Sequence, residues 1–232
     1  MSLIPNQNQT EKVKATEGTH VARIYKFIYL GEHKREWQGK QLTPVPRFSI
    51  SFELPNERFE FSKDKGEQAV SVSTLINYSM SDPDRLKDSK SVFSRMLLAL
   101  GGRQEYIKLY SHLTTNVASE AEAIKYINEY IEKFNTCMIS VLHNEKGYAN
   151  IDQFTEVIKG MQVPARENEL VIFDFWKNKD KISLLPEFQV KMIDSSNNYT
   201  AFQQVRDEKP KIKTEESLPT INADDLNVQM PF

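Results

Sequence analysis

Cysteine and long apolar runs are scarce in this sequence of 232 residues, and each scarcity excludes a class of protein. The single cysteine, Cys137, excludes an internal disulfide and a zinc site built from cysteines. It lies in the apolar run TCMISVL, where we expect a buried structural thiol. No stretch approaches the ~18 consecutive apolar residues of a membrane-spanning helix. The N-terminal residues lack the apolar segment of a secretion signal. These absences predict a cytoplasmic protein.

Motifs for catalysis and for cofactor binding are also missing. Neither GGRQ nor GKQL supplies the phosphate-binding sequence GxxxxGK followed by Ser or Thr, and no serine lies in a GxSxG turn. The histidines are scattered along the chain: His20, His33, His112 and His143. Acidic residues alternate with lysines, as in SKDKGEQ, which is typical of a solvated loop rather than of a two-metal centre. We therefore predict a protein that is not an enzyme and uses no metal and no cofactor.

Aromatic and charged residues are plentiful. The chain has 13 Phe and 9 Tyr, enough for a core, and it balances 30 Lys and Arg against 32 Asp and Glu. Residues 1–17 are polar and without periodicity, which predicts a flexible arm. Residues 201–232 are charged and poor in apolar side chains, which predicts a disordered acidic tail. Between them, residues 18–200 are expected to form one domain.

The first segment of that domain, VARIYKFIYL, has the composition of a β-strand with two different faces. One row is aliphatic apart from Lys26: Ala22, Ile24, Ile28 and Leu30. The other row is aromatic with one basic residue: Val21, Arg23, Tyr25, Phe27 and Tyr29. If the aliphatic row faces the core, Tyr25 and Tyr29 are free to face a ligand. The opposite arrangement stays open, because an aromatic row is also common in a core.

Further strands follow in the first third of the chain. RFSISFEL alternates between apolar and polar residues, as a half-buried strand does. Pro55 and Asn56 predict a turn, after which RFEFS pairs back as a third strand with Phe59 and Phe61 facing inward. QAVSVSTLI continues in extended form.

The middle of the chain changes to helical spacing. SKSVFSRMLLALGG predicts a helix with Ser89 or Ser91 at its start and the glycine pair at its end. RQEYIKLYSHL predicts a short second helix, and SEAEAIKYINEYIEKF a third with a capping box at Ser119 and Glu122. A β-hairpin around NEKG comes next, and the apolar segments ELVIFDFW and LLPEFQVKMI are expected to cover the domain.

Three strands, a helical insertion and two strands are the element order of an OB-fold, a five-stranded barrel with helices between strands 3 and 4. A two-sheet α+β domain is the alternative.

Basic and aromatic residues are interleaved at the start of this domain, as in proteins that bind single-stranded nucleic acid through phosphate contacts and base stacking. The candidate DNA-binding residues are Arg23, Tyr25, Lys26, Tyr29, Lys34, Arg35, Trp37, Lys40 and Arg47. In an OB-fold, the face of strands 2 and 3 and the loop between strands 1 and 2 bind oligonucleotides.

Several segments together resemble the phage-encoded single-stranded DNA-binding proteins of the OB-fold type. They are GTHVARIYKFIYLGEH, RFSISFELP, SKSVFSRMLLALGG and LPEFQVKMIDSSNNY, within residues 18–200. The resemblance implies sequence-independent binding of single-stranded DNA during phage replication and recombination, in the cytoplasm of a host cell. It also implies possible self-association.

The last ten residues, ADDLNVQMPF, are similar in kind to the acidic tails of bacterial single-stranded DNA-binding proteins, which end in Ile-Pro-Phe. The matching residues are Asp224, Asp225, Pro231 and Phe232. Here five residues separate the acids from the Pro-Phe pair, so the resemblance implies a tail that recruits replication or recombination proteins without specifying which ones. A terminal Phe suits this role, because its ring can enter an apolar pocket while its carboxylate meets a basic residue.

Two other functions remain open at this point. A single-strand annealing protein would also bind single strands but would pair complementary ones. An adaptor module would use the same fold to bind protein and would not bind DNA.

Overall fold

Three long strands at the start of the chain form most of the sheet in the computed structural model, which describes residues 14–64 and 66–198. They are β1 (Gly18–Trp37), β2 (Lys40–Ser62) and β3 (Gly66–Asn77), and consecutive strands pair antiparallel. The segment EHKREWQGKQLTPVP, which lies where an OB-fold has the loop between strands 1 and 2, belongs almost wholly to β1 and β2. The two strands therefore extend well beyond the core.

The remaining elements cover the sheet and complete it. In chain order they are a 3-10 helix (Pro83–Asp88), α1 (Val92–Thr115), α2 (Glu120–Lys133), β4 (Thr136–His143), β5 (Ala149–Thr155), β6 (Val171–Phe173), a second 3-10 helix (Lys179–Leu184) and α3 (Glu187–Asp194). The hydrogen-bonded order is β3-β2-β1-β4-β5, and β6 lies parallel to β1. The result is a mixed α/β domain with an otherwise antiparallel sheet.

The sheet is not closed into a barrel, which corrects the expectation of a five-stranded closed one. Within the described residues no ladder joins β3 to β5, although the two strands approach each other. Helix α1 contacts both strands. The core at this opening is therefore covered by a helix instead of by a further row of backbone hydrogen bonds.

A β-bulge at Tyr25 decides which side chains of β1 are buried. Ile24 lies opposite Phe52 and Lys26 lies opposite Ser51, so Tyr25 is an extra residue that shifts the alternation by one. Beyond the bulge, Phe27 and Tyr29 lie on the same face as Ile24. The rings on this face stack closely, with 4.9 Å between the ring centroids of Phe27 and Phe48. Ile28 and Leu30 point to the other face and are also buried, so both rows of β1 contribute to the core.

The predicted turn at Pro55 and Asn56 was wrong. β2 continues through both residues, with a register shift against β3 between Leu54 and Arg58. Proline is tolerated in a strand at such an irregularity, because a ladder hydrogen bond is already missing there. The actual third strand is the segment that starts at Gly66. Phe59 and Phe61, expected to face inward, are exposed near the end of β2.

The helical region matches its sequence pattern closely. The Ser91 side chain accepts a hydrogen bond from the Ser94 amide at 3.0 Å and caps α1, and Ser119 caps α2. Gly102 has φ 74° and interrupts α1, where the sequence predicted one helix to end and another to begin. The β4–β5 hairpin is confirmed.

Both ends of the expected domain differ in detail from the sequence-based limits. Ala15, assigned to the N-terminal arm, is buried, and its carbonyl lies 2.8 Å from the His143 Nε2. The predicted tail, including Asp224, Asp225, Pro231 and Phe232, lies outside the described residues. Cys137 is buried as expected, and burial raises the pKa of its thiol to about 12. Over 14–64 and 66–198, no helix combines the length and the apolar character needed to cross a membrane.

Candidate nucleic-acid interface

The ends of β1 and β2 form a hairpin that projects from the sheet, residues 32–43, which we call the first arm. Its tip is a two-residue turn of Gln38 and Gly39, with φ of 49° and 75°. Positive φ at both positions is what a type I′ turn requires, and this turn matches the twist of the two strands. The turn places Trp37 and Lys40 directly opposite each other.

One face of the first arm combines apolar and basic side chains. Arg35 lies opposite Leu42 and Trp37 lies opposite Lys40, and residues that are opposite or two apart share a face of the ladder. Trp37 is 41% exposed and Leu42 is 42% exposed. Lys34 lies at a register shift between His33 and Arg35 and is also exposed. This face offers a ring for stacking between two cations.

The root of the first arm adds a fourth cation. Arg47 is half-buried, and its Nε donates to the Asn77 Oδ1 at 3.0 Å, which fixes the guanidinium across β2 and β3. Burial first, and then the charge of Arg35, lowers the pKa of Arg47 from its ordinary value, which indicates that the two guanidinium groups are neighbours. His33, buried beside them, has a lowered pKa because of its burial and the charge of Arg47. Neither guanidinium forms an ion pair within residues 14–64 and 66–198, and such cations favour an anionic ligand.

The other predicted basic residues lie elsewhere on β1. Lys26 and Arg35 are nine positions apart, which corresponds to roughly 30 Å along a strand. Arg23 is half-buried under the segment after β5, with its Nη2 3.5 Å from the Val163 carbonyl. The Lys26 ammonium lies 5.7 Å from the centre of the Tyr25 ring, and burial lowers its pKa. The structure therefore groups Lys34, Arg35, Trp37, Lys40 and Arg47 but separates Arg23, Tyr25 and Lys26 from them.

Tyr29 is not available for stacking, so the expectation that it faces a ligand does not hold. The Tyr25 bulge directs its ring into the core, where the side chain is 0% exposed. Its hydroxyl donates to the Glu120 carboxylate and accepts from the Asn198 Nδ2 at 3.1 Å. Burial and the Glu120 contact raise the pKa of Tyr29 far above its ordinary value. Tyr29 joins β1, α2 and the end of the described chain.

The outward face of β2 is covered by the C-terminal part of the described chain. Glu53 is fully buried there and accepts from the backbone amides of Glu167 and Asn168, at 2.7 and 2.9 Å. Gln189 of α3 donates to the Ser49 hydroxyl at 2.9 Å. Of the two elements that an OB-fold uses for oligonucleotides, the β2 face is occupied and the hairpin between β1 and β2 is accessible.

A second exposed aromatic group lies where the sequence pattern predicted inward-facing rings. The opposite end of β2 and the start of β3 form the second arm, residues 57–64 and 66–68. Phe59 and Phe61 are 44% and 48% exposed, with ring centroids 5.2 Å apart in an edge-to-face contact. Glu60 and Glu67 lie opposite each other on the reverse face. The pattern RFEF could have predicted these exposed rings, because its aromatic residues alternate with charged ones. The incorrect turn at Pro55 led instead to the prediction of a separate strand with both rings facing inward.

The side chains that most often bind metals are dispersed in the described part of the chain. Within residues 14–64 and 66–198, no three side chains of His, Cys, Asp or Glu lie close enough together to hold a metal ion.

Comparison with known proteins gives no further guide to the site. No protein-family model, no curated protein and no solved structure matches the chain.

Proposed function

We propose that this protein binds single-stranded DNA without sequence preference and without catalysis, through its first arm. The proposal depends above all on the exposed Trp37 ring between Arg35 and Lys40, with Lys34 and Arg47 nearby. Stacking is tolerant of sequence because every base has a flat face, and the cations follow the phosphates.

The topology agrees with this function. The strand order and the helix pair between β3 and β4 are those of an OB-fold whose barrel lacks the last ladder, and we propose that relationship for this chain. The sequence resemblance to phage-encoded single-stranded DNA-binding proteins points the same way. The role of Asp224, Asp225, Pro231 and Phe232 in recruiting replication proteins is part of the proposal and rests on the sequence alone.

A titration of labelled oligothymidine, followed by fluorescence anisotropy, tests the proposal. Four cations on single-stranded DNA predict a slope of about −3 in log K against log salt, since each contact contributes about −0.7. Affinity should therefore fall about 50-fold between 50 and 200 mM salt. Duplex DNA of equal length should bind more weakly. Equal affinity for duplex and single strand, or binding that ignores salt, would contradict the proposal.

A protein-binding adaptor is the second candidate, and the second arm favours it. Phe59 and Phe61 present apolar surface beside carboxylates, which suits a basic protein partner better than a phosphate backbone. An adaptor predicts no salt-dependent binding to oligothymidine.

A further inference from the structure

Trp176 follows β6 in a turn that one carboxylate holds rigid. Asp174 is buried, and its Oδ1 accepts from the backbone amides of Trp176 and Lys177, at 2.8 and 2.7 Å. Its Oδ2 accepts from the Asn128 and Asn178 amides, at 2.9 and 2.6 Å. Because Asp174 binds both the turn and α2, the position of Trp176 is set before any ligand arrives.

The Trp176 ring is supported on one side and open on another. It stacks on Tyr29 with 5.8 Å between ring centroids and 23° between ring planes, and it remains 37% exposed. A cleft of about 140 Å³ separates the turn from α2, and Trp176, Lys177, Lys125 and Asn128 line it. Asn128 is 4% exposed, and its Oδ1 has no hydrogen-bond partner among the described residues. A ligand with a flat ring would find the open face of Trp176 at this cleft.

Charges of both signs lie around the cleft, and the cations at one rim belong to the turn. The sequence after the ring, WKNKDK, places Lys177 and Lys179 in exposed positions. On α2, Lys125 lies 4.0 Å from Glu129, and Glu132 and the buried Asp174 are the other carboxylates of the lining. The lysines of the turn are therefore the cations available for a phosphate.

The cleft lies beside the root of the first arm. Tyr29, which supports Trp176, is three positions before Glu32, where the arm begins. Six positions separate Tyr29 from Arg35, roughly 20 Å of strand. A single OB-fold covers roughly 4–16 nucleotides, so one bound strand is long enough to span this separation.

We propose that Trp176 is a second base-stacking residue, which receives a nucleotide of the strand held by the first arm, with Lys177 on its phosphate. This inference rests on the proposed function and extends the DNA path from the arm to the α2 side of the molecule. The signal for it in the sequence is a tryptophan followed by alternating lysines.

The chain has 2 tryptophans, Trp37 and Trp176, so each can be observed alone. In Trp37→Phe, all tryptophan emission comes from Trp176. Oligothymidine should quench that emission saturably, over the same concentrations at which the anisotropy of a labelled oligonucleotide rises. A rise in anisotropy without a change in Trp176 emission would overturn the inference and leave the proposed function standing. If the wild-type protein gives no anisotropy change, the proposed function itself fails.

Affinity measurements on variants complete the test. Trp176→Ala should weaken oligothymidine binding roughly 5- to 150-fold if a base stacks there. Because Trp176 also packs on Tyr29, circular dichroism must show that the variant is folded. Lys177→Glu alters an exposed side chain only and should make the salt slope shallower by about 0.7. A folded Trp176→Ala and a Lys177→Glu that both bind like wild type would overturn the inference, whatever the emission shows.

Discussion

The two ends of β2 finish in hairpin arms of opposite chemical character. The first arm places Trp37 and Leu42 between Arg35 and Lys40, whereas the second places Phe59 and Phe61 on one face, with Glu60 and Glu67 behind them. Both arms have the same backbone design, a two-stranded ladder that extends past the core. What differs is the charge near the exposed rings, and on this difference we base the proposal that the first arm binds DNA, with a protein partner as the candidate for the second.

The arms also differ in how they are anchored. Near the first arm, the Asn198 Oδ1 accepts from the Glu32 amide at 2.9 Å, and the Asn197 amide donates to the Glu32 carbonyl at 2.8 Å. The second arm is held from outside through Arg58, which pairs with Glu167. The chain that follows β5 therefore contacts both arms, but it fixes the backbone of the first.

The largest expected effect comes from Gly31, where the first arm is anchored. Gly31 has φ +89°, and a Cβ there would lie 2.6 Å from Ser196 and from Asn198. Gly31→Ala should cost about 3 kcal/mol of unfolding free energy, from positive φ and from displacement of these neighbours.

Gly66→Ala is the matched control on the second arm. Gly66 has φ +63° with nothing within 4 Å of an added Cβ, so only the conformational cost of about 1 kcal/mol remains. Urea unfolding measures both variants. Equal losses would mean that Ser196 and Asn198 do not fix the first arm.

Charge reversal on the first arm should have the next largest effect. Lys34→Glu combined with Lys40→Glu changes two exposed side chains. Because each charged contact contributes about 1.5 kcal/mol, the binding free energy should fall by about 3 kcal/mol. This corresponds to a ~100-fold loss of affinity for oligothymidine. Lys63→Glu, an exposed lysine of the second arm, should leave affinity unchanged. Similar losses from both arms would remove the distinction between them.

Removing the exposed rings separates the arms in a different way. Trp37→Ala should weaken binding to oligothymidine by roughly 1–3 kcal/mol, the usual contribution of a stacked base. Phe59→Ala with Phe61→Ala should leave that affinity within a factor of two. Isothermal titration at one salt concentration measures both. The reverse result would exchange the roles of the two arms.

The smallest expected effect is a pH dependence at the root of the first arm. The pKa of His33 in the folded protein lies below its ordinary value of 6.5, because of burial and the nearby Arg47. The unfolded chain therefore takes up the proton first, so this contribution to stability is complete above pH 6.5 and is lost as the pH falls through the folded-state value. Melting temperatures between pH 7 and pH 5 should fall less in His33→Asn than in wild type. An identical fall would contradict the assignment to His33.

The local elements could be predicted well from the sequence. Ser91, Ser119 and Gly102 act over a few residues, so the helix boundaries that depend on them are visible in a short window. The β4–β5 hairpin is equally local. The turn prediction at Pro55 was wrong because proline usually marks a turn. Only the pairing of β2 with β3 shows that Pro55 lies at an irregularity within a strand.

The candidate site was predictable in composition but not in geometry. Trp37 and Lys40 stood out because rings and cations alternate there, and the structure places them on one face. The burial of Tyr29 depends on one extra residue in β1, and the cover over Glu53 depends on chain more than a hundred residues away. Neither the extra residue in β1 nor the distant segment that covers Glu53 leaves a periodic signal in the sequence.

The bulge at Tyr25 also constrains how the length of this chain can change. Deleting Tyr25 would leave a regular ladder, because Ile24 opposite Phe52 and Lys26 opposite Ser51 are consecutive pairs once the extra residue is gone. Phe27 and Tyr29 would still share the face of Ile24. Deleting Ile28 would instead turn Tyr29 to the other face, because the pleat has a period of two. A library of single-residue deletions in β1 should therefore recover folded variants at Tyr25 and not at Ile28.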